Sequence, residues 1–191
     1  KRQHIFLGLI VLFFLFTRLY KITQIPASVY WDEASIGYNA YCLGLDGKDE
    51  WGNFLPLHFR AFGEFKLPVY IYSTALSEKI FGPGIFAVRL PSVFFSTISL
   101  VLVYLIAKKL FGEKAGLFSA LFFAVAPWNF IFSRTGYEVS SGLMFFLCGI
   151  YLFIVSEKKP SFFLLSVASF IASFYSYNSF RIVSPLFTAI F

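Results

Sequence analysis

Three short segments carry the side chains best suited to chemistry. Tyr30-Trp31-Asp32-Glu33 sets two carboxylates beside two aromatic rings. At a membrane surface such a carboxylate is in reach of both a lipid headgroup and water. It can then act as a general base, or as a metal-linked carboxylate, on a lipid-borne substrate. Asp32 also suits a purely local role, capping a helix that starts near Ala34. In Gly63-Glu64-Phe65-Lys66-Leu67-Pro68, Glu64 suits a divalent cation and Lys66 a phosphate. A solvated turn with a surface ion pair would use the same residues. In Ser133-Arg134-Thr135-Gly136-Tyr137-Glu138, Arg134 and Glu138 stand four apart and can pair on one helix. The alternative is that Arg134 holds an anionic headgroup. His58 is a lone histidine, and no Cys/His cluster has zinc spacing.

The elements that must position these groups are apolar. Of 191 residues, 58% are hydrophobic and only 14% charged, against about 25% charged in an ordinary soluble domain. A chain this apolar has too little polar surface to face water, so lipid must cover part of it. The net charge of +6 does not point to nucleic acid, because the basic residues sit at the ends of apolar runs and form no patch on a polar domain. Cys42 and Cys148 are far apart and Cys148 lies in an apolar run, so no disulfide is expected between them.

A membrane-crossing helix needs about 20 apolar residues. Uncharged runs at Leu90–Ala107, Ala115–Ser133, Val139–Ser156 and Pro160–Phe180 qualify. The expected crossings are 5–20, 89–107, 115–133, 139–156 and 160–180, with 182–191 opening a further one. The first run is short, and Arg18 and Tyr20 extend it by snorkelling to the far interface. A secretory signal peptide is the other reading of that run, but no clean small-x-small cleavage site follows. The chain begins at Lys1 without Met and stops at Phe191 within an apolar run, so a fragment of a longer protein is expected.

Charge asymmetry orients the spans. The short loop Lys108–Lys114 carries three lysines, Glu157–Pro160 carries two, and the N-terminus holds Lys1 and Arg2. By the positive-inside rule these lie in the cytoplasm, in a plasma-membrane protein with a cytoplasmic N-terminus. Residues 21–88 then form a long outer loop. The same parity gathers Asp32, Glu33, Glu64, Lys66, Arg134, Glu138, Asn178 and Arg181 on the outer face.

Seven of the ten acidic residues fall between Asp32 and Glu78, which makes this loop the chemical centre of the chain. Ala34–Leu45 reads as an amphipathic helix with Ile36, Tyr41 and Leu45 on its apolar side and Asn39 on its polar side. Val69, Tyr72, Leu76 and Ile80 recur at helical spacing and form a second such face. Pro68 suits the first turn of that helix, and Gly82-Pro83-Gly84 ends it. Both helices suit a position flat on the membrane surface. A short strand is expected around Phe54–Phe59. The fold class is therefore an all-α polytopic membrane protein, with about five to six transmembrane helices and a first outer loop carrying two amphipathic juxtamembrane helices.

Tyr30-Trp31-Asp32-Glu33-Ala34, Trp51-Gly52-Asn53-Phe54-Leu55-Pro56-Leu57, Glu64-Phe65-Lys66-Leu67-Pro68, Phe86-Ala87-Val88-Arg89-Leu90-Pro91-Ser92, and Ala126-Pro127-Trp128 with Ser133-Arg134 and Glu138 follow in that order. From about Ile5 to about Phe153 the chain resembles the N-terminal part of family 39-type glycosyltransferases of the GT-C fold. Protein O-mannosyltransferases and lipid A aminoarabinose transferases are relatives. The resemblance implies one GT-C transmembrane domain over 1–191 and a polyprenyl-phosphate sugar as donor and partner, met in the membrane lipid. It implies Asp32 as the catalytic carboxylate with Glu33 as its neighbour. It implies Glu64 at a metal or substrate site, Lys66 on the donor phosphate, and a divalent metal ion as cofactor. Arg134 and Glu138 complete the expected substrate-binding set. The family's Glu-Lys-Pro-Pro is here Glu64-Phe65-Lys66-Leu67-Pro68, with a phenylalanine inserted and a leucine in place of the first proline. Transfer by one inverting displacement is the expected mechanism. The alternatives are a multi-pass transporter, which would place charges within its spans, and a non-catalytic lipid-binding protein. The donor sugar and the acceptor are not legible.

Overall fold

The computed structural model describes residues 2–190. Lys1, expected in the cytoplasm, and Phe191, the end of the expected 182–191 segment, lie outside the described residues. Among the described residues nine helices and one hairpin follow in order: α1 (Arg2–Leu19), α2 (Trp31–Asp46), β1 (Phe59–Ala61), β2 (Glu64–Lys66), α3 (Pro68–Phe81), α4 (Ile85–Phe111), α5 (Glu113–Val125), α6 (Pro127–Phe132), α7 (Val139–Ser156), α8 (Ser161–Phe174) and α9 (Phe180–Ile190). Among the described residues, α4 and α7 are long and apolar enough to cross a membrane.

Helix α4 organises the rest. Its 27 residues span roughly 40 Å. One part of its surface joins Ile36 and Ala40 of α2, Phe59 of β1, Tyr70 and Ile71 of α3, and Met144 of α7 in a buried cluster. Another part joins Phe14 of α1 with Ala120 and Ala124 of α5. Helices α7 and α8 pack through small residues, because a Cβ on Gly149 would come within 2.8 Å of Phe170. Across the same seam, Ser166 and Ser173 donate to the carbonyls of Gly149 and Gly142. Such close backbone approach and interhelical hydrogen bonds hold the two helices together.

The run 115–133 is two helices. Ala126 is extended (ψ 125°) before Pro127, as the proline ring requires of its predecessor. Pro127 has no N–H, so the carbonyl of Phe123 loses its helical donor. Asn129 Nδ2 supplies it instead at 2.9 Å. Arg18 donates to the neighbouring Ala124 carbonyl at 2.7 Å and to Ser133 Oγ at 2.9 Å. Arg18 therefore does not snorkel outward as expected. It is buried, with its guanidinium over the rings of Phe14 and Phe130.

The outer-loop helices stand where periodicity placed them, but their buried faces differ. On α2, Asn39 is fully buried and bonded to Ser35 and Glu50, while Tyr41 and Leu45 are exposed. On α3, Tyr70, Ile71 and Thr74 face inward, and Leu76 and Ile80 face out. A 3.6-residue period marks an apolar stripe but does not say whether protein or lipid covers it. The strand expected near Phe54–Phe59 is displaced. Only an isolated bridge joins Lys48 and Phe54, and Pro56 has no N–H to donate to a ladder. The hairpin instead begins at Phe59, turning at Phe62 and Gly63, whose φ values of 40° and 86° are those of a type I′ turn.

Candidate functional site

The hairpin register pairs Phe59 with Lys66 and Ala61 with Glu64. Side chains two apart on a strand share a face, so the inserted Phe65 leaves Glu64 and Lys66 side by side. Lys66 Nζ lies 2.7 Å from Glu64 and 2.6 Å from Asp32. The second oxygen of Asp32 accepts a 2.7 Å hydrogen bond from the Tyr137 hydroxyl. Asp32 does not cap α2. The helix starts at Trp31 with Tyr30 at the N-cap position, so the aspartate lies inside the first turn with its carboxylate held by tertiary partners.

Glu33 points the other way. Its carboxylate accepts two bonds from Arg89, at 2.8 and 3.0 Å, and one each from the backbone N–H groups of Gly136 and Tyr30. Burial works against its charge, but these four donors outweigh it and hold Glu33 below the ordinary carboxylate range. Arg89 also donates to the carbonyls of Ile22, Pro26 and Ser28. One buried pair thus ties α4 to the chain before α2 and to the 133–138 loop, which brings Tyr137 onto Asp32. Gly136 is required there, since a Cβ would come within 2.7 Å of Val88 Cγ1 and 3.2 Å of the Val88 carbonyl.

Glu138 approaches from the same loop. One oxygen accepts from the Leu67 N–H at 2.8 Å and the other lies 3.9 Å from Lys66 Nζ. Burial pushes the Glu138 carboxyl up to about 7, against the pull of the Leu67 N–H and Lys66. Lys66 is buried too, which disfavours its charge, but Asp32, Glu64 and Glu138 overcome this and raise it above the ordinary lysine value. Burial first, and then the Asp32 carboxylate, raise the Tyr137 phenol as well.

These groups line a cleft of about 520 Å³, walled by Trp31, Phe62 and Phe65 and reaching Tyr177 and Asn178. It holds one ammonium among three carboxylates and opens between aromatic rings. Of the expected site residues, the cleft collects Asp32, Glu64, Lys66 and Glu138. It does not include Glu33 or Arg134. Arg134 neither pairs with Glu138 nor faces the cleft: it donates to the carbonyls of Thr17, Arg18, Tyr20 and Ile25. A guanidinium fork suits the orphan carbonyls at the end of α1. Arg181 meets His58 at 3.2 Å. The residues present do not fit the expected metal ion at Glu64. Among the described residues no three Asp, Glu, His or Cys side chains are grouped to hold one, and Lys66 fills the space between the carboxylates.

Two residues of this arrangement are not singled out by the sequence. Tyr137 stands in the 133–138 segment without a charge or a spacing that points to Asp32. Arg89 looked like a flank of a span, although an arginine leading an uncharged run just before Pro91 needs a buried acid if the helix extends past it.

A family model described as dolichyl-phosphate-mannose-protein mannosyltransferase matches residues 66–191, well over half of the chain. The chain belongs to this family. Membership implies glycosyltransferase activity and a membrane setting, and the family's donor is a sugar linked to a polyprenyl phosphate. No curated protein and no solved structure gives a match. The mannosyltransferase match opens at Lys66 and takes in Arg89, Tyr137 and Glu138, while Asp32 and Glu64 precede it.

Proposed function

We propose that the chain belongs to a multi-pass GT-C glycosyltransferase that moves a sugar from a polyprenyl-phosphate donor to an acceptor on the outer face of the plasma membrane. The N-terminus and the lysine-rich 108–114 loop lie in the cytoplasm. The cleft stands at the other end of α4 from that loop. Supporting this orientation, Leu76 and Ile80 of α3 and Tyr41 and Leu45 of α2 are exposed side chains with apolar surface, as helices lying on a bilayer require.

The observation that carries the reading is Asp32, a carboxylate in the cleft that, among the described residues, is bonded by Lys66 and Tyr137 alone. Each oxygen keeps a lone pair for a further donor. Asp32 takes the proton of the acceptor hydroxyl as that oxygen bonds to the anomeric carbon. The bond from the anomeric carbon to the phosphate oxygen breaks on the opposite face, inverting the centre, and the lipid phosphate leaves with the electron pair. Lys66 offsets the charge on that phosphate by exchanging Glu64, its one exposed partner, for a phosphate oxygen. Tyr137 and Lys66 fix the direction of the Asp32 carboxylate, so positioning contributes to the rate. Glu33 acts through Arg89 and Gly136 as a positioning residue.

Transfer of a radiolabelled polyprenyl-phosphate sugar by purified protein tests this. Asp32→Asn is expected to lower turnover by about 100-fold or more, the size of a lost general base. Near-normal turnover would overturn the role.

A further inference from the structure

The Glu78 carboxylate has no hydrogen-bond or ion-pair partner among the described residues. It lies near the end of α3, more than nine-tenths buried, and its Oε2 has neither hydrogen bond nor ion pair. Its other oxygen stands 3.7 Å from where a Cβ on Gly37 of α2 would sit, so the carboxylate is held between the two outer-loop helices. It lines an open cavity of about 370 Å³ with Gly37, Tyr38, Tyr41, Pro83 and Gly84. This cavity is separate from the Asp32 cleft, and the two share no lining residue.

An isolated carboxylate is costly to bury, and a glutamine would fill the same space without that cost. Burial alone pushes Glu78 up to about 7, with no compensating charge nearby. The other acid lining the cavity, Glu33, is neutralised by Arg89. Tyr38 and Tyr41, three residues apart on α2, share a helix face, and both rings are exposed. A carboxylate in a cavity lined by tyrosine rings is suited to an ammonium, by charge and by cation–π attraction.

We propose that this cavity binds an organic primary ammonium group, with Glu78 as its counter-charge and Tyr38 and Tyr41 as its walls. The group is carried by a lipid headgroup or by a free amine. Pro83 and Gly84 lead directly into the long apolar helix α4, which sets the cavity at headgroup level on the membrane reading above. The ammonium site itself stands without that reading.

Binding, not transfer, tests the proposal. The melting temperature of the full chain in detergent is followed against short-chain phosphatidylethanolamine, short-chain phosphatidylglycerol and free ethanolamine. Phosphatidylethanolamine is expected to raise it, and Glu78→Gln to increase roughly tenfold the concentration needed for the same rise, the size of one charge-assisted hydrogen bond. Tyr38→Ala, at an exposed position, is expected to weaken the response as well. A matching response to ethanolamine assigns the ammonium alone, and a response confined to phosphatidylethanolamine assigns the headgroup. Equal responses to the two lipids, no response to either amine, or unchanged affinity in both variants would overturn the site.

Discussion

Asp32 and Glu33 are adjacent carboxylates with opposite surroundings. Asp32 faces the cleft on Lys66 and Tyr137, and Glu33 faces the interior on Arg89 and two backbone amides. The first turn of α2 produces this divergence, because successive helical side chains point about 100° apart. A cleft-facing acid and an architectural one are thus neighbours that sequence alone presents as a pair.

The two should separate on mutation. Glu33→Gln leaves the Arg89 guanidinium buried without its counter-charge, and breaking such a pair costs about 3–5 kcal/mol. A marked drop in melting temperature is expected. Asp32→Asn keeps its shape and one acceptor oxygen for Lys66, which also retains Glu64 and Glu138, while its amide N–H can donate to the Tyr137 oxygen, so its melting temperature should fall less than that of Glu33→Gln while transfer is lost. Equal destabilisation by both would show that Asp32 is a structural acid as well.

Gly136→Ala tests how the loop is held. The new methyl meets Val88 at 2.7 Å, a clash that costs about 1–3 kcal/mol in a packed interior. The loop must retreat from Glu33, taking Tyr137 off Asp32. Lower stability and slower transfer are expected together. Val88→Ala in the same chain should recover part of both, and a full-strength defect in the double variant would locate the strain elsewhere.

What could be read from the sequence, and what could not, follows from the range of the interactions. Asp32, Glu64, Lys66 and Glu138 were brought to one face by charge asymmetry alone, because the positive-inside rule needs only flanking residues. Both ends of α3 followed from local rules, with Pro68 opening the helix and Gly82 closing it, whereas α2 opens at Trp31, three residues before the expected Ala34, and takes Asp32 into its first turn. The roles of Arg18, Arg89 and Arg134 were hidden. Each serves carbonyls or an acid 56 to 117 positions away, and nothing local distinguishes a buried arginine from an interfacial anchor. The inward turn of Asn39 was hidden for the same reason, since its partner Glu50 stands across a turn.

The buried acids make stability depend on pH in a defined window. Glu138 sits near 4.5 when unfolded and is raised to about 7 in the fold. Between those values the folded state holds a proton that the unfolded chain has lost, so stability falls as pH rises through the window. Glu78 acts in the same direction over the same range. Glu33 is lowered, so its contribution is lost only on going below the ordinary carboxylate range. Lys66 is raised, so its contribution is lost only at alkaline pH. From pH 5 to 8 the melting temperature of the parent should therefore fall. Glu138→Gln and Glu78→Gln should each flatten part of that slope, and a double variant more of it. Slopes unchanged in all three would show that other groups carry the dependence.

Arg134→Lys decides between a substrate contact and a structural one. The guanidinium reaches four carbonyls spread over Thr17, Arg18, Tyr20 and Ile25. A lysine has one ammonium and no planar fork, so it cannot serve that whole set. If Arg134 held the donor phosphate, lysine would still supply the charge, and the loss would fall mainly on KM for the lipid-linked sugar. The geometry predicts the reverse. The end of α1 loses its cap and the melting temperature drops by several degrees, while KM for the donor stays within about twofold in the fraction that remains folded. Lys66→Gln is the matched control. It removes the one cation from the Asp32 cleft and should raise donor KM or abolish transfer at permissive temperature. A rise in KM from Arg134→Lys with an unchanged melting temperature would return that arginine to the substrate.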